Sequence, residues 1–469
     1  MTMVNSAPAK TRPISLSEDA NSATSDASIS ASAASACSGK VRAPLEKACK
    51  RMKHSTRRER ILQTPLPATF AVDDLRLRPT KDFNLLWYWL AERQNVYVRR
   101  RQGLPREQWT DDPILQTYWF CNAYRILDRE SQFLVREVIE KGPQTPEEII
   151  FRVLLYDIFT RHTTYELLER HLAPLTWKTY NRARYLEVLD DRPALYTSAF
   201  QKTSGDRRHA KLLHAHLDDL EMFMRDGVGR RLPAVTHAAD VFDFFFWHRG
   251  YAEFKAYQLA LNLSYTPLFN FHADDYVVPG PGARAGLRRM FGASIDAAAR
   301  NDPAAHMRAL LWMARTQDEH FARLGLRFER LEGRPLEVPD IEHAVCELEK
   351  YARGGANRRY KAPSGCPPAL PSPVLPKAWA HPARAKPKVR AEWPNTSRES
   401  KGYLVDNVVD DKTEDGQMFV LVKWTGYAEH ENTWEPASLI WHDAPSAMQE
   451  YFGKRGTGGT TPKGKTKKR

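Results

Sequence analysis

Cysteine is scarce in this chain and none of it is paired: Cys37, Cys49, Cys121, Cys346 and Cys366 are scattered, odd in number and without a C-x-x-C spacing. Such a pattern supports neither a disulfide framework nor a cysteine zinc site, so no metal and no cofactor are expected, and a reducing compartment fits. Long apolar runs are missing as well. No stretch reaches the ~18 uninterrupted apolar residues of a membrane helix. The opening MTMVNSAPAKTRPISLSEDANSATSDASIS lacks the apolar centre of a secretory signal. Neither membrane insertion nor secretion is expected. The Walker sequence G-x-x-x-x-G-K-[ST] is absent, so P-loop phosphoryl transfer is not expected either. Alternation of period two is nearly absent between residues 81 and 355, which leaves little room there for sheet.

What is present is a chain of 469 residues, 42% hydrophobic, with a mean hydropathy of −0.57. At roughly 100–200 residues per domain it holds two to four domains, with polar additions. The net charge of +13 is unevenly placed. Residues 40–60 carry nine Lys/Arg against two Glu, residues 356–400 again nine against two, and residues 453–469 seven against none. Residues 401–452 are the reverse, three against ten. Basic arms therefore flank a neutral body and an acidic small module, a distribution suited to nucleic acid and to nuclear import receptors.

The order along the chain follows from composition. Residues 1–80 read as a disordered arm, rich in Ser and Ala at the start, with too few large apolar side chains to offset the entropy of folding. Within it, Lys50-Arg51-Met52-Lys53 followed by Arg57-Arg58 resembles a bipartite nuclear localisation signal. Residues 81–355 read as one all-α domain. Thr110-Asp111-Asp112-Pro113 is a helix start, Thr145-Pro146-Glu147-Glu148 is a capping box, and further helices are expected over 163–172, 177–190, 208–226, 237–263, 283–299, 303–323 and 339–353. Residues 356–400, with nine prolines between 361 and 394, read as an extended basic linker. Residues 401–453 form a short ordered module, and 454–469 a basic tail.

The module carries the sharpest pattern. Tyr403–Val409 and Met418–Trp424 are strand-like runs, Asn432-Thr433-Trp434-Glu435-Pro436 opens a third strand, and Ala444–Phe452 reads as a closing helix. The opening Tyr-x-Val, the Val-Lys-Trp-x-Gly-Tyr strand and the Asn-Thr-Trp-Glu-Pro run closely resemble a chromodomain. The resemblance implies an aromatic cage for methylated lysine from Tyr403, Trp424 and Tyr427, with Glu431 beside it and Asn432 bonding the peptide backbone. A methylated ammonium keeps its charge but loses hydrogen-bond donors, so aromatic faces suit it. The peptide adds as a strand. Asp406 stands where the family has Glu, with no second acid following. Trp434 reads as core.

Three stretches stand out in the body: Gln108–Ile114 with Phe120–Arg125, Gly250–Gln258 leading to Val278–Leu287, and Asp340–Tyr351. Together they resemble the helical domain associated with 5-hydroxymethyluracil DNA kinases, also described as α-glutamyl/putrescinyl thymine pyrophosphorylases, a family similar to helix-hairpin-helix DNA glycosylases. Two glycines at a turn before a helix suit close phosphate approach, which makes Gly280, Gly282, Arg284 and Arg288 the expected DNA contacts. Base chemistry then requires a flipped nucleotide and a carboxylate that stabilises the sugar cation. Asp274, Asp275, Asp296, Asp302 and Asp340 are available. Spacing from the hairpin in such glycosylases points to Asp296 or Asp302, and Asp340 belongs to a polar helix end with Glu342, His343 and Glu347. Arg284 stands where bifunctional members carry a Schiff-base lysine, so lyase chemistry is not expected. His209, His214 and His216 read as surface histidines, and Phe242–Trp247 as core.

The fold class is thus mainly α: a helix-hairpin-helix, glycosylase-like domain plus a small three-stranded chromodomain. The expected function is a nuclear chromatin protein that binds a methylated histone tail and acts on, or binds, modified DNA bases. The alternative is a non-enzymatic chromatin and DNA adaptor.

Overall fold

In the computed structural model, which describes residues 56–197, 211–246, 248, 251–354, 370–390, 405–414, 417–425, 427–437, 440 and 444–456, residues 56–80 are already folded, ahead of the start expected near Lys81. Thr56 caps a short helix, Arg57–Gln63, by accepting the Glu59 N–H, and Glu59 returns the bond to the Thr56 N–H. Arg58 lies over the Tyr351 ring, 5.4 Å from its centroid, so half of the expected import signal belongs to the folded body. Strands β1 (Phe70–Val72) and β2 (Leu75–Leu77) then form a hairpin.

The body is built around α1 (Lys81–Arg101), which buries residues on every side, Trp87 and Trp89 among them. Its buried polar residues find partners within the body, Asn84 donating to the carbonyls of Ile61 and Thr64 and Arg93 to that of Phe120. Thr80 ties its start to the end of α4 (Pro281–Phe291), donating its N–H to Met290 and its hydroxyl to Arg289. The helix α6 (Val338–Ala352) and α4 pack on α1, α5 (Ala305–Arg323) meets it where His320 and Phe321 face Trp87, and α2 (Pro146–Phe159) packs against α3 (Glu253–Ser264). Asp112 caps the helix Pro113–Thr117 by accepting the N–H groups of Ile114 and Leu115, as expected. The capping box expected at Thr145 does not form. Thr145 stands at the cap position, but Glu148 turns away to accept the N–H groups of Trp177 and Lys178. Two expected long helices are each broken in two. Residues 237–263 divide into Ala238–Phe246 and α3; residues 283–299 divide at Gly292, whose φ of 56° no β-branched residue tolerates easily.

The Phe242, Phe245 and Phe246 rings are core, as read. His216 is a correction: it is buried, its Nδ1 3.2 Å from the Tyr196 hydroxyl, because it faces the inner side of the helix Leu212–Arg225. His214 is half-buried, and His209 lies outside the described residues. Among the described residues no helix is long and apolar enough to cross a membrane.

Residues 370–390 are not a free spacer. They run as a strap over the body, with Leu370, Val374, Leu375 and Trp379 packed on its core. Gln132 exchanges hydrogen bonds with both backbone groups of Val374. The buried Arg384 donates to the carbonyls of Ser264 and Phe269, and Asp275 accepts the Lys388 N–H. Proline removes donors that would be lost in such docking, and the few remaining polar groups named here find partners.

The C-terminal module is a three-stranded antiparallel sheet in the order β3 (Val405–Glu414), β4 (Gln417–Trp424), β5 (Thr433–Pro436), closed by α7 (Pro445–Gly456). Its own small core joins Val408, Val420 and Val422 to Ala437, Ile440 and Met448. The Tyr451 hydroxyl donates to Asp411 at 2.7 Å, fixing α7 on β3.

Candidate functional site

The close approach of α4 and α6 organises the polar interior. A side-chain carbon on Gly282 would strike the Cys346 sulfur, and one on Gly286 would strike the carbonyl oxygen of Val345. Small residues one turn apart let two helices touch backbone to backbone. The Gly280 N–H, expected to face a phosphate, is instead donated to the buried carboxylate of Glu342 at 3.0 Å. These glycines are therefore packing residues, and the Gly280 N–H is engaged by Glu342 in place of the expected phosphate. Arg284 is half-exposed and paired with Glu253 at 2.6 Å; Arg288 is exposed and paired with Asp296 at 2.9 Å.

Asp296 and Asp302 sit in ion pairs rather than in a pocket. Asp296 faces Arg288, and Asp302 holds Arg308 at 2.7 Å while accepting the Ala304 N–H. Asp340 is different. It is buried at the start of α6 and accepts the N–H groups of Arg125 (2.7 Å) and Glu337 (3.0 Å). Asp274 accepts the Val338 N–H at 2.6 Å, so three carboxylates, Asp274, Glu337 and Asp340, gather at one helix end.

Beside them opens a cleft of about 510 Å³. His272, Asp274, Arg334 and Glu337 form its inner wall, and Trp379, His381 and Arg384 of the strap form the outer one. A second hollow, by Trp109 and Phe120, has a volume of about 20 Å³, room for little more than a water. Burial under the strap, with the charges of Asp340 and Asp274 adjoining, pushes Glu337 up to about 8, against the pull of Arg334 and Arg384. Burial also lifts Asp340 to about 6, opposed by its two N–H partners, and raises Asp274 above the usual carboxylate range. A carboxyl that holds its proton at neutral pH, as Glu337 does, beside other carboxylates in a cleft large enough for a base and its sugar, supplies the elements of general-acid chemistry. Sequence reading reached Asp274 and Asp340 but missed Glu337, Trp379 and Arg384. The signal available was Glu337-Val338-Pro339-Asp340, a helix start with an acid on each side of its proline; no pattern announced the strap.

In the C-terminal module, Trp424 ends β4 and donates its Nε1–H to the Thr433 hydroxyl at 2.8 Å, which fixes the indole. Lys423 donates to the carbonyl of Tyr427, and Glu431 accepts the Ala428 N–H at 2.9 Å, which closes the turn carrying Tyr427, Glu431 and Asn432. The turn thus brings all four toward the same end of the sheet. Tyr403 lies outside the described residues. The Asn432 Oδ1 is buried and has no hydrogen-bond partner among the described residues. Trp434 is a correction: it is 37% exposed, with the Lys412 amine 4.5 Å from its ring centroid, because β5 pairs through Leu421 and turns the indole outward.

Fold and site together define a helical domain with a strapped acidic cleft, joined to a small three-stranded β module closed by a helix. Residues 80–360 match the family described as "5-hmdU DNA kinase, helical domain", more than half of the chain, and the chain belongs to that family. Residues 403–454 match the Chromo (CHRromatin Organisation MOdifier) domain. The body is similar to the 5-hmdU DNA kinase of Bacillus phage SP10, 23% identical over 321 residues that cover 61% of this chain and 48% of the relative. The C-terminal module is similar to heterochromatin protein 1 of Drosophila melanogaster, 32% identical over 69 residues, 15% of this chain and 32% of the relative. It is also similar to the histone-lysine N-methyltransferase SUV39H2 of Gallus gallus, 46% identical over 57 residues, 12% of this chain and 14% of the relative. The chain spans about half the length of the phage relative and a third or less of these two chromatin relatives. No solved structure matches it.

Proposed function

We propose that this is a nuclear chromatin protein that binds a methylated lysine of a histone tail through residues 401–453 and processes a modified pyrimidine of DNA in the strapped cleft. The carrying observation is the juxtaposition of Glu337 and Asp274 in a cleft walled by Trp379. A flipped base stacks on an aromatic wall in such sites, and unstacking is cheapest for a modified or mismatched base. As the bond from base to sugar breaks, its electron pair leaves with the base, which takes the proton of Glu337. The Asp274 carboxylate faces the positive charge left on the sugar, and water completes the exchange. Asp340 orients the end of α6 from behind. The acidic reader module suits a basic tail, and Trp424, Tyr427 and Glu431 are the cage side chains among the described residues, with Tyr403 completing the set. The basic runs 50–53 and 463–469 suit an import receptor.

One observation favours a second reading. Asp274, the group that would face the sugar cation, is itself engaged by the Val338 N–H, as a purely structural carboxylate would be. In that reading the cleft holds a modified base without turnover. The two separate on one experiment. The full chain is incubated with duplexes carrying thymine, 5-hydroxymethyluracil or 5-hydroxymethylcytosine, and free base and abasic sites are measured by mass spectrometry. Release from one duplex, lost in Glu337→Gln with binding retained, supports turnover. Binding without release supports the holding role, and neither outcome with any duplex sinks both.

A further inference from the structure

Away from the cleft, a second cluster of chemically distinctive side chains lies where the 121–128 segment meets α6. Cys121, Asp128 and His343 each offer one ligand atom, and these three atoms lie within 4.8 Å of one another. None of the three lines the cleft. We propose that they form a binding site for a divalent cation of the zinc class.

The geometry carries the assignment. His343 Nε2 stands 3.3 Å from Asp128 Oδ2. Two ligands held at about 2.0 Å on one tetrahedral ion are separated by about 3.3 Å, so this pair already has the spacing that an ion imposes. Asp128 is oriented as a ligand must be. Its Oδ1 accepts both the backbone N–H of Asn122 (2.8 Å) and its side-chain amide (2.9 Å), which leaves Oδ2 turned to His343. Asn122 is itself held by Arg93, whose guanidinium donates to Asn122 Oδ1 at 2.8 Å, and by donation to the Leu127 carbonyl at 2.9 Å. Cys121 is positioned through its own backbone, its N–H donated to Glu347 Oε2 at 3.3 Å. Partners that orient the ligands without touching the ion are what a metal site requires around it.

Two metal-free accounts of the cluster fit less well. A metal-free Asp–His ion pair uses the Cys121 thiol only as a hydrogen-bond partner of the imidazole. A Cys–His–Asp relay places thiol and carboxylate on opposite ring nitrogens, far apart, whereas here the three atoms close into a triangle. Mixed sulfur, nitrogen and oxygen donors select zinc or cobalt over magnesium or calcium. Three protein ligands leave a fourth position for water or another group. Binding requires a Cys121 thiolate and a neutral His343, so protons are released to solvent as the ion binds.

Cobalt(II) tests this on the untagged full-length chain, stripped with a chelator and then titrated. The expected result is one equivalent bound, with a thiolate-to-cobalt charge-transfer band and the intense d–d bands of four-coordinate cobalt, both displaced by zinc. Cys121→Ser loses the charge-transfer band, and Cys346→Ser, a thiol outside the cluster, keeps it. Should Cys121→Ser fail to fold, zinc protection of Cys121 from alkylation, mapped by peptide mass spectrometry on the wild-type chain, answers the same question. Failure to bind cobalt stoichiometrically, a spectrum without a thiolate band, or protection of a different cysteine overturns the proposal.

Discussion

Glu337 and Asn432 show how much a single side chain can reveal when its surroundings disagree with its chemistry. Glu337 holds its proton to about 8, where the free side chain would release it near 4.5. The folded state therefore binds more protons than the unfolded chain between those values, and stability falls as pH rises through that window. The wild-type body is expected to melt at a lower temperature at pH 8.5 than at pH 6 in part for this reason. Glu337→Gln removes that component, so thermal melts of the two proteins should differ in their pH dependence, the variant's being the flatter; parallel curves would show that Glu337 is not held protonated. Asn432 is the opposite case, a buried acceptor awaiting a donor. Asn432→Ala is expected to weaken a methylated peptide by about 1–3 kcal/mol, the cost of a lost backbone bond, while leaving the melting temperature unchanged or slightly higher. Trp424→Ala removes an aromatic face and is expected to cost about 2 kcal/mol, roughly thirtyfold in affinity by calorimetry, and only against the methylated peptide. Equal losses for methylated and unmethylated peptides would argue against a cage.

At the scale of elements, the contact between α4 and α6 depends on what two glycines lack. Gly286→Ala sets a methyl against the Val345 backbone carbonyl, which cannot rotate aside, and is expected to destabilise the body by about 3 kcal/mol. Gly282→Ala meets the end of the Cys346 side chain instead, so its cost is smaller and is largely relieved in Gly282→Ala/Cys346→Ala. Denaturant melts of the wild type and these three variants check this; equal costs at both glycines would mean that the helices can part. The same contact shows why elements were more legible than their purpose. The helical periods of α1, α5 and α6 and the three strands of the C-terminal module are local patterns, and they stand in the sequence. The turn at 279–282 is local as well, but whether its N–H groups face a phosphate or Glu342 depends on a residue some sixty positions away. Cys121, Asp128 and His343 likewise converge from distant segments, and no ligand spacing along the chain could announce them.

At the scale of the whole molecule, the strap joins the cleft to the body. Replacing residues 370–390 by a Gly/Ser segment of equal length is expected to lower the melting temperature of the body and, by uncovering Glu337, to flatten its pH dependence as Glu337→Gln does. A variant that melts like the wild type at every pH would show that the strap is dispensable. The strap lies beyond residues 80–360, so one wall of the cleft comes from sequence outside the family match.

Docking the strap also shortens the leash on the reader. Of residues 356–400, the stretch from 370 to 390 is spent on the body, and fourteen residues separate Arg390 from Val405. Whatever path they take, they reach at most about 50 Å, against about 150 Å for the whole stretch run out straight. On the proposed function, a tail held by the module therefore keeps the end of the strap within about 50 Å of it.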